Sequence, residues 1–237
     1  MLAAMLTPAP AAAQQGGPGF LFRQPRVTLG ISATYLVPRA SSDLYDFVTR
    51  ELTLDRSDFV APGVRGDLAA RVAPRVDLLV SVAYVRSETR SEFRDFVGED
   101  DLAIAQTTTL RQTPVTVGAR YYLRERGRAV SRFAWVPARW NAYVGAALGR
   151  TWYRFEQSGE FVDTGSLDIF FDTFTSSGSG GTLQVLGGAE VGLNNLLLLT
   201  GEARYQWADA PLGNDFVDFD DIDLSGLQLS LGFAVRF

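Results

Sequence analysis

Eight segments of this chain alternate residue by residue between an apolar face and a polar, glycine-rich one, and that alternation limits the possible folds more than any motif does. The segments are 27–35, 64–72, 76–84, 115–123, 140–152, 183–193, 197–207 and 227–237. In the first, Val27, Leu29, Ile31, Ala33 and Tyr35 alternate with Thr28, Gly30, Ser32 and Thr34. In the last, Leu227, Leu229, Leu231, Phe233, Val235 and Phe237 oppose Gln228, Ser230, Gly232 and Arg236. A period of two is that of a β-strand, so the pattern predicts an all-β chain. No apolar run approaches the roughly 18 residues of a transmembrane helix. A chain of this kind crosses a membrane only as a closed barrel, since an open sheet would leave backbone groups unpaired in lipid.

The polar face decides which side points outward. Glycine gains nothing on an exposed strand face, whereas mixed small and large residues fit the inside of a narrow eight-stranded barrel. With the faces reversed in a bilayer, Arg65, Arg120, Glu202 and Arg204 would each cost up to about 2–4 kcal/mol near the midplane. The interior is therefore expected to hold Arg65, Asp67, Arg71, Arg120, Glu190, Glu202 and Arg204, and buried charges must be paired and hydrogen-bonded. Leu79, Val85, Leu186 and Leu198 fall on the same inward face, which suits a packed barrel better than a wide aqueous pore. Aromatic residues cluster at two heights on the outer face. Tyr35, Tyr84, Trp152, Tyr205 and Trp207 form one girdle, and Tyr121, Trp140 and Phe237 the other. Arg150 also falls on the outer face, about 25 Å above Trp140 at a rise of 3.3 Å per residue and 40° tilt, where it can snorkel.

The connections alternate in length as an up-and-down barrel requires. Residues 73–75 and 194–195 are short turns; 124–139 is a long, strongly basic exception. The long loops are 37–63, 86–113, 154–181 and 208–226, and 47–54 and 168–175 within them look extended, so ten strands are conceivable. With an even strand count both termini lie on the short-turn side. Residues 1–13 read as the end of a secretory signal peptide with a small-residue cleavage site, 14–26 as a flexible lead-in, and 27–237 as the barrel.

The net charge of −5 offers no general attraction to nucleic acid. With no cysteine and no histidine, neither a thiolate metal site nor a histidine general base is available. Asp218, Asp220, Asp221 and Asp223 form the densest acidic cluster. It lacks the central glycine and terminal glutamate of an EF-hand loop, and a solvated loop is a better reading than a cation site. Phe93, Phe96, Phe170, Phe171 and Phe174 lie in the long loops, where they either pack the loops together or meet a partner. No cofactor and no metal are expected.

The final run LQLSLGFAVRF, ending at Phe237, together with YVGAALGRTWY (143–153) and GEARYQW (201–207), resembles the OmpA/OmpX/OmpW-like small outer-membrane barrels. The resemblance implies a bacterial outer-membrane location with periplasmic termini, a monomer, and contact with outer-membrane lipid and lipopolysaccharide. It also implies recognition of the C-terminal strand by the barrel-assembly machinery. The enzymatic members of such barrels rely on an active-site histidine, so the resemblance implies no enzyme here. Three roles stay open: a structural or surface protein with a plugged lumen, a conduit for small or hydrophobic solutes, and a loop-mediated adhesin or receptor.

Overall fold

The structure, a computed structural model, describes residues 19–98, 102–163 and 168–237. Its strands are β1 (Val27–Pro38), β2 (Ala61–Ala73), β3 (Val76–Val97), β4 (Ala103–Tyr122), β5 (Gly127–Ser131) and β6 (Ala134–Pro137). They continue with β7 (Trp140–Val162), β8 (Ile169–Gly192), β9 (Leu197–Ala210), β10 (Ile222–Asp223) and β11 (Gly226–Arg236). β1, β2, β3, β4, β7, β8, β9 and β11 pair in that order, each antiparallel to the next. β11 then pairs with β1, from Thr28 opposite Arg236 to Pro38 opposite Gly226, and closes the ring. Each of the eight alternating segments falls on one of these eight strands, with only Leu123, Leu193 and Phe237 just past a strand end.

The outer surface carries the apolar set. Ile31, Leu148 and Leu231 are each more than three-fifths exposed, and Tyr35, Tyr84, Tyr121, Trp140, Trp152, Trp207 and Phe237 all face outward. Tyr205 is half-buried against Trp207, ring to ring at 4.7 Å. Arg65, Gln184, Glu202, Arg204 and Gln206 are buried on the other face. A soluble barrel has the opposite arrangement, with its apolar face inside.

Three expectations about the connections change. Residues 47–54 do not form a strand: Asp43–Glu51 is a helix, α1, and Leu44, Tyr45 and Val48 on its inner face are buried. Leu44, Val48 and Leu52 recur at a spacing of four, a helical period that outweighs the β-branched look of the segment. Residues 168–175 are extended, but Ile169–Thr175 is the start of β8 rather than an extra strand, so the ring stays at eight. Much of 86–113 and 154–181 is also strand. β3, β4, β7 and β8 run on beyond the aromatic girdle by roughly 30 Å at ordinary strand rise and tilt. The basic stretch 124–139 folds into the β5–β6 hairpin.

The expected signal peptide, 1–13, lies outside the described residues. Part of the expected flexible lead-in is fastened: Leu21 and Trp135 exchange two backbone hydrogen bonds of 2.8 Å.

Candidate functional site: the barrel interior

Parity along β2 and β9 places two charge pairs on the inner wall, Arg65 with Asp67 and Glu202 with Arg204. Across the lumen they join into a closed four-membered cycle of alternating charge. Arg65 lies 3.1 Å from Asp67 and 3.0 Å from Glu202, and Arg204 lies 2.8 Å from Glu202 and 3.7 Å from Asp67. Ser81, facing Asp67 from β3, donates to its carboxylate. Tyr143 donates to Glu202 at 2.9 Å. These hydrogen bonds occupy lone pairs that burial would otherwise leave uncompensated.

Arg120 stands apart from the cycle. Among the described residues no carboxylate lies within 4 Å of it, and its guanidinium sits 5.0 Å from the centre of the Tyr143 ring. Glu190 is one level lower and likewise makes no ion pair; it accepts hydrogen bonds from Tyr122 at 3.4 Å and Asn141 at 3.3 Å. Arg71 lies at the foot of β2, half-buried and outside the cycle. The seven expected interior charges thus divide into four that meet, two that pair with tyrosines or an amide, and one at the rim.

Above the cycle the lumen is crossed by glutamines. Arg204 donates to Gln184 at 2.9 Å, Gln184 to Gln206 at 3.1 Å, and Gln206 to Gln112 at 3.2 Å and to the Leu224 carbonyl at 2.7 Å. Leu224 belongs to an apolar cluster that fills the mouth. Leu44, Tyr45 and Val48 of α1 pack there against Phe59, Phe155, Phe216 and Ile222. The chain turns into this lid at Ala40, whose φ of 48° is left-handed and costs a non-glycine residue about 1–2 kcal/mol.

Asp223 fastens the lid. Its carboxylate accepts from Arg39 at 2.9 Å, from the Ser41 hydroxyl at 2.8 Å and backbone at 3.1 Å, and from the Ser225 backbone at 2.9 Å. Burial alone would raise its pKa, but the bonds from Arg39, Ser225 and Ser41 prevail and hold the carboxyl below its ordinary value. The acidic cluster therefore divides: Asp218, Asp220 and Asp221 are exposed, and Asp223 is a buried acceptor. Among the described residues no group of three or more acidic side chains converges on a metal position.

The basic stretch lies across the other end. Arg126 reaches back to Asp77 at 2.8 Å and lies over the Tyr122 ring at 4.4 Å, while buried Trp135 sits beneath Arg236. A cavity of about 20 Å³ lies between Arg65, Asp67, Arg120 and Glu190, and another of about 20 Å³ beside Arg126 and Trp135. Each is the size of about one water molecule.

Sequence reasoning missed Tyr122 and Tyr143, although parity with outward Tyr121 and Val144 places both inside. Nothing in the sequence marks Arg126 as folding back under the barrel. Of the loop aromatics, Phe93 and Phe174 pack against the lid and Phe161 stacks on Phe170 and meets Phe174 edge to face, whereas Phe171 is three-quarters exposed.

No family model and no curated protein matches the chain. Among solved structures it is similar to Neisserial surface protein A, at 15% identity and a TM-score of 0.48 over 89% of this chain and 96% of that one. It is also similar to Ail, the attachment invasion locus protein of Yersinia pestis (14%, TM-score 0.47, over 90% and 99%). A third is the outer membrane protein OprG from Pseudomonas aeruginosa (14%, TM-score 0.46, over 91% and 97%). The likeness is one of outline. The eight-stranded ring rests on this chain's own strand pairing.

Proposed function

We propose that the chain is a non-enzymatic outer-membrane β-barrel with a sealed lumen, its long strands and lid facing outward and both termini in the periplasm, serving a structural or surface role. The observation that supports this reading is the succession of contacts along the axis: apolar lid, glutamine bridge, charge cycle, then Arg126 and Trp135. Ions passing through would have to break a buried, hydrogen-bonded ion-pair network, which is costly in a low-dielectric interior. The apolar outer belt between two aromatic girdles supports the membrane setting, and the short turns at the end carrying the termini support the orientation. Asp67 and Glu202 are each held by two arginines and a hydroxyl, which suits a strut better than a general base.

Planar-bilayer recording on the refolded protein tests this reading. The expected result is a silent bilayer from protein whose folding is verified by its heat-sensitive gel mobility. Reproducible single-channel steps would overturn the sealed lumen and bring the conduit reading forward. A surface-binding role draws on a separate observation, the four-stranded sheet of β3, β4, β7 and β8 that stands above the girdle. β8 has no barrel neighbour on its other side before Thr182.

A further inference from the structure

The two ends of the barrel differ sharply in charge. At the turn end, segments 19–26, 74–75, 123–139 and 193–196 hold eight arginines and a single carboxylate, Glu125. Most of the chain's acids lie at the opposite end, in the loops and the projecting strands. Within the basic end, a groove of about 590 Å³ runs between the lead-in, the foot of β2, the β5–β6 hairpin and the C-terminus. Arg23, Arg26, Arg71 and Arg132 line it together with Phe22 and Phe237. None of these four arginines makes an ion pair among the described residues, although arginine is the side chain best suited to fork-like binding of phosphate.

The surroundings of the groove are apolar. Phe22 and Phe133 are each more than 70% exposed, and Val130 and Phe20 more than half. At its upper edge Phe237 belongs to the lower aromatic girdle, and exposed Val27 and Val72 continue the apolar surface up the barrel wall. A free anion would use the arginines and leave these side chains in water. A lipid uses both, placing phosphate among the guanidiniums and acyl chains along Val27, Val72 and Phe237.

We propose that this groove binds the headgroup phosphate of an anionic phospholipid in the leaflet at the turn end of the barrel. The inference rests on the membrane-spanning reading above and adds a specific lipid site to it. The bound lipid would tie the lead-in and hairpin, both outside the barrel wall, to the bilayer surface.

The test uses the full chain folded in nanodiscs of phosphatidylcholine with one-tenth phosphatidylglycerol, extracted into neutral detergent. Native mass spectrometry reads which lipid stays bound, and gel mobility with far-UV circular dichroism reads folding independently. Phosphatidylglycerol is expected to be retained in preference to phosphatidylcholine, and millimolar inorganic phosphate is not expected to displace it. Arg23→Gln and Arg132→Gln lie outside the barrel strands, so these variants fold, and each should weaken the preference about fivefold. A folded barrel retaining both lipids equally overturns the proposal, as does a preference untouched by both substitutions. Displacement by inorganic phosphate overturns the lipid assignment in favour of a free-anion site. A chain that does not fold as a barrel in lipid overturns the membrane reading and this inference with it, a result distinct from a folded barrel without preference.

Discussion

Each arginine of the Arg65–Asp67–Arg204–Glu202 cycle touches two carboxylates, so removing one cation affects both acids. Arg204→Met is expected to cost about 3–5 kcal/mol, because Asp67 and Glu202 would then share Arg65 alone in a buried setting. Urea unfolding of the barrel in lipid vesicles measures it, and a loss below about 1 kcal/mol would mean the cycle is not what holds β2 to β9. Adding Glu202→Leu to that variant should restore most of the stability, since Arg65 and Asp67 then remain as a matched pair. Gly188 serves the same tier through space rather than charge. A Cβ there would come within 2.7 Å of both the Tyr143 hydroxyl and the Gly201 carbonyl oxygen. Gly188→Ala should therefore push Tyr143 off Glu202 and cost about 1–3 kcal/mol in the same assay. The four cycle residues were legible from alternation because a strand fixes side-chain direction residue by residue. Their mutual distances were not, because the partners come from strands that are not neighbours and only ring closure brings them together.

The lid is the element on which a strand-based reading of the chain goes wrong. Segment 43–51 has a four-residue apolar spacing and acids in its first turn with Arg50 in its last, a good match to the helix dipole. The surrounding loop composition hid that signal. The projecting parts of β3, β4, β7 and β8 were hard to read for a different reason: with much of both faces in water, no apolar period marks them as strand. The lid's attachment depends on Asp223, which accepts three hydrogen bonds from Arg39 and Ser41 and so ties β10 to the chain entering α1. Asp223→Ala should release α1 without unfolding the ring, so limited proteolysis is expected to cut within Asp43–Glu51 at least tenfold faster while the barrel fragment stays intact. Unchanged cleavage would mean the apolar packing of Leu44, Tyr45 and Val48 holds the lid unaided. The pH dependence has a definite sign. Because the folded Asp223 pKa lies below its unfolded value, the latch contributes fully above the ordinary aspartate range near pH ~3.9. That contribution is lost only as pH falls toward the lower folded value. The same cleavage assay should therefore show a closed lid at mildly acidic pH and an accelerating opening only below the usual carboxylate range.

At the scale of the whole molecule, the proposed closures lie in series along one axis. The lid packs at the mouth, the charge cycle and its glutamine bridge cross the middle, and Arg126 with Trp135 lies at the foot. A series arrangement makes a prediction that no single closure makes. Replacing residues 41–59 by a short glycine-serine linker removes α1 and Phe59 but leaves Arg204 bonded to Gln184 and Arg126 to Asp77. The bilayer should therefore stay silent with this variant, provided gel mobility shows that the ring has formed. Conductance is expected only when the lid deletion is combined with serine at positions 65, 67, 202 and 204 and with Asp77→Ser, Arg126→Ser and Trp135→Ser. Removing the cycle charges and the Arg126–Asp77 pair as matched sets strands none of their partners, so that variant keeps a better chance of folding than any one of its single charge deletions. Channel steps from the lid deletion alone would show that the middle and the foot already admit ions, and the lid would then be a gate rather than one layer of a solid core.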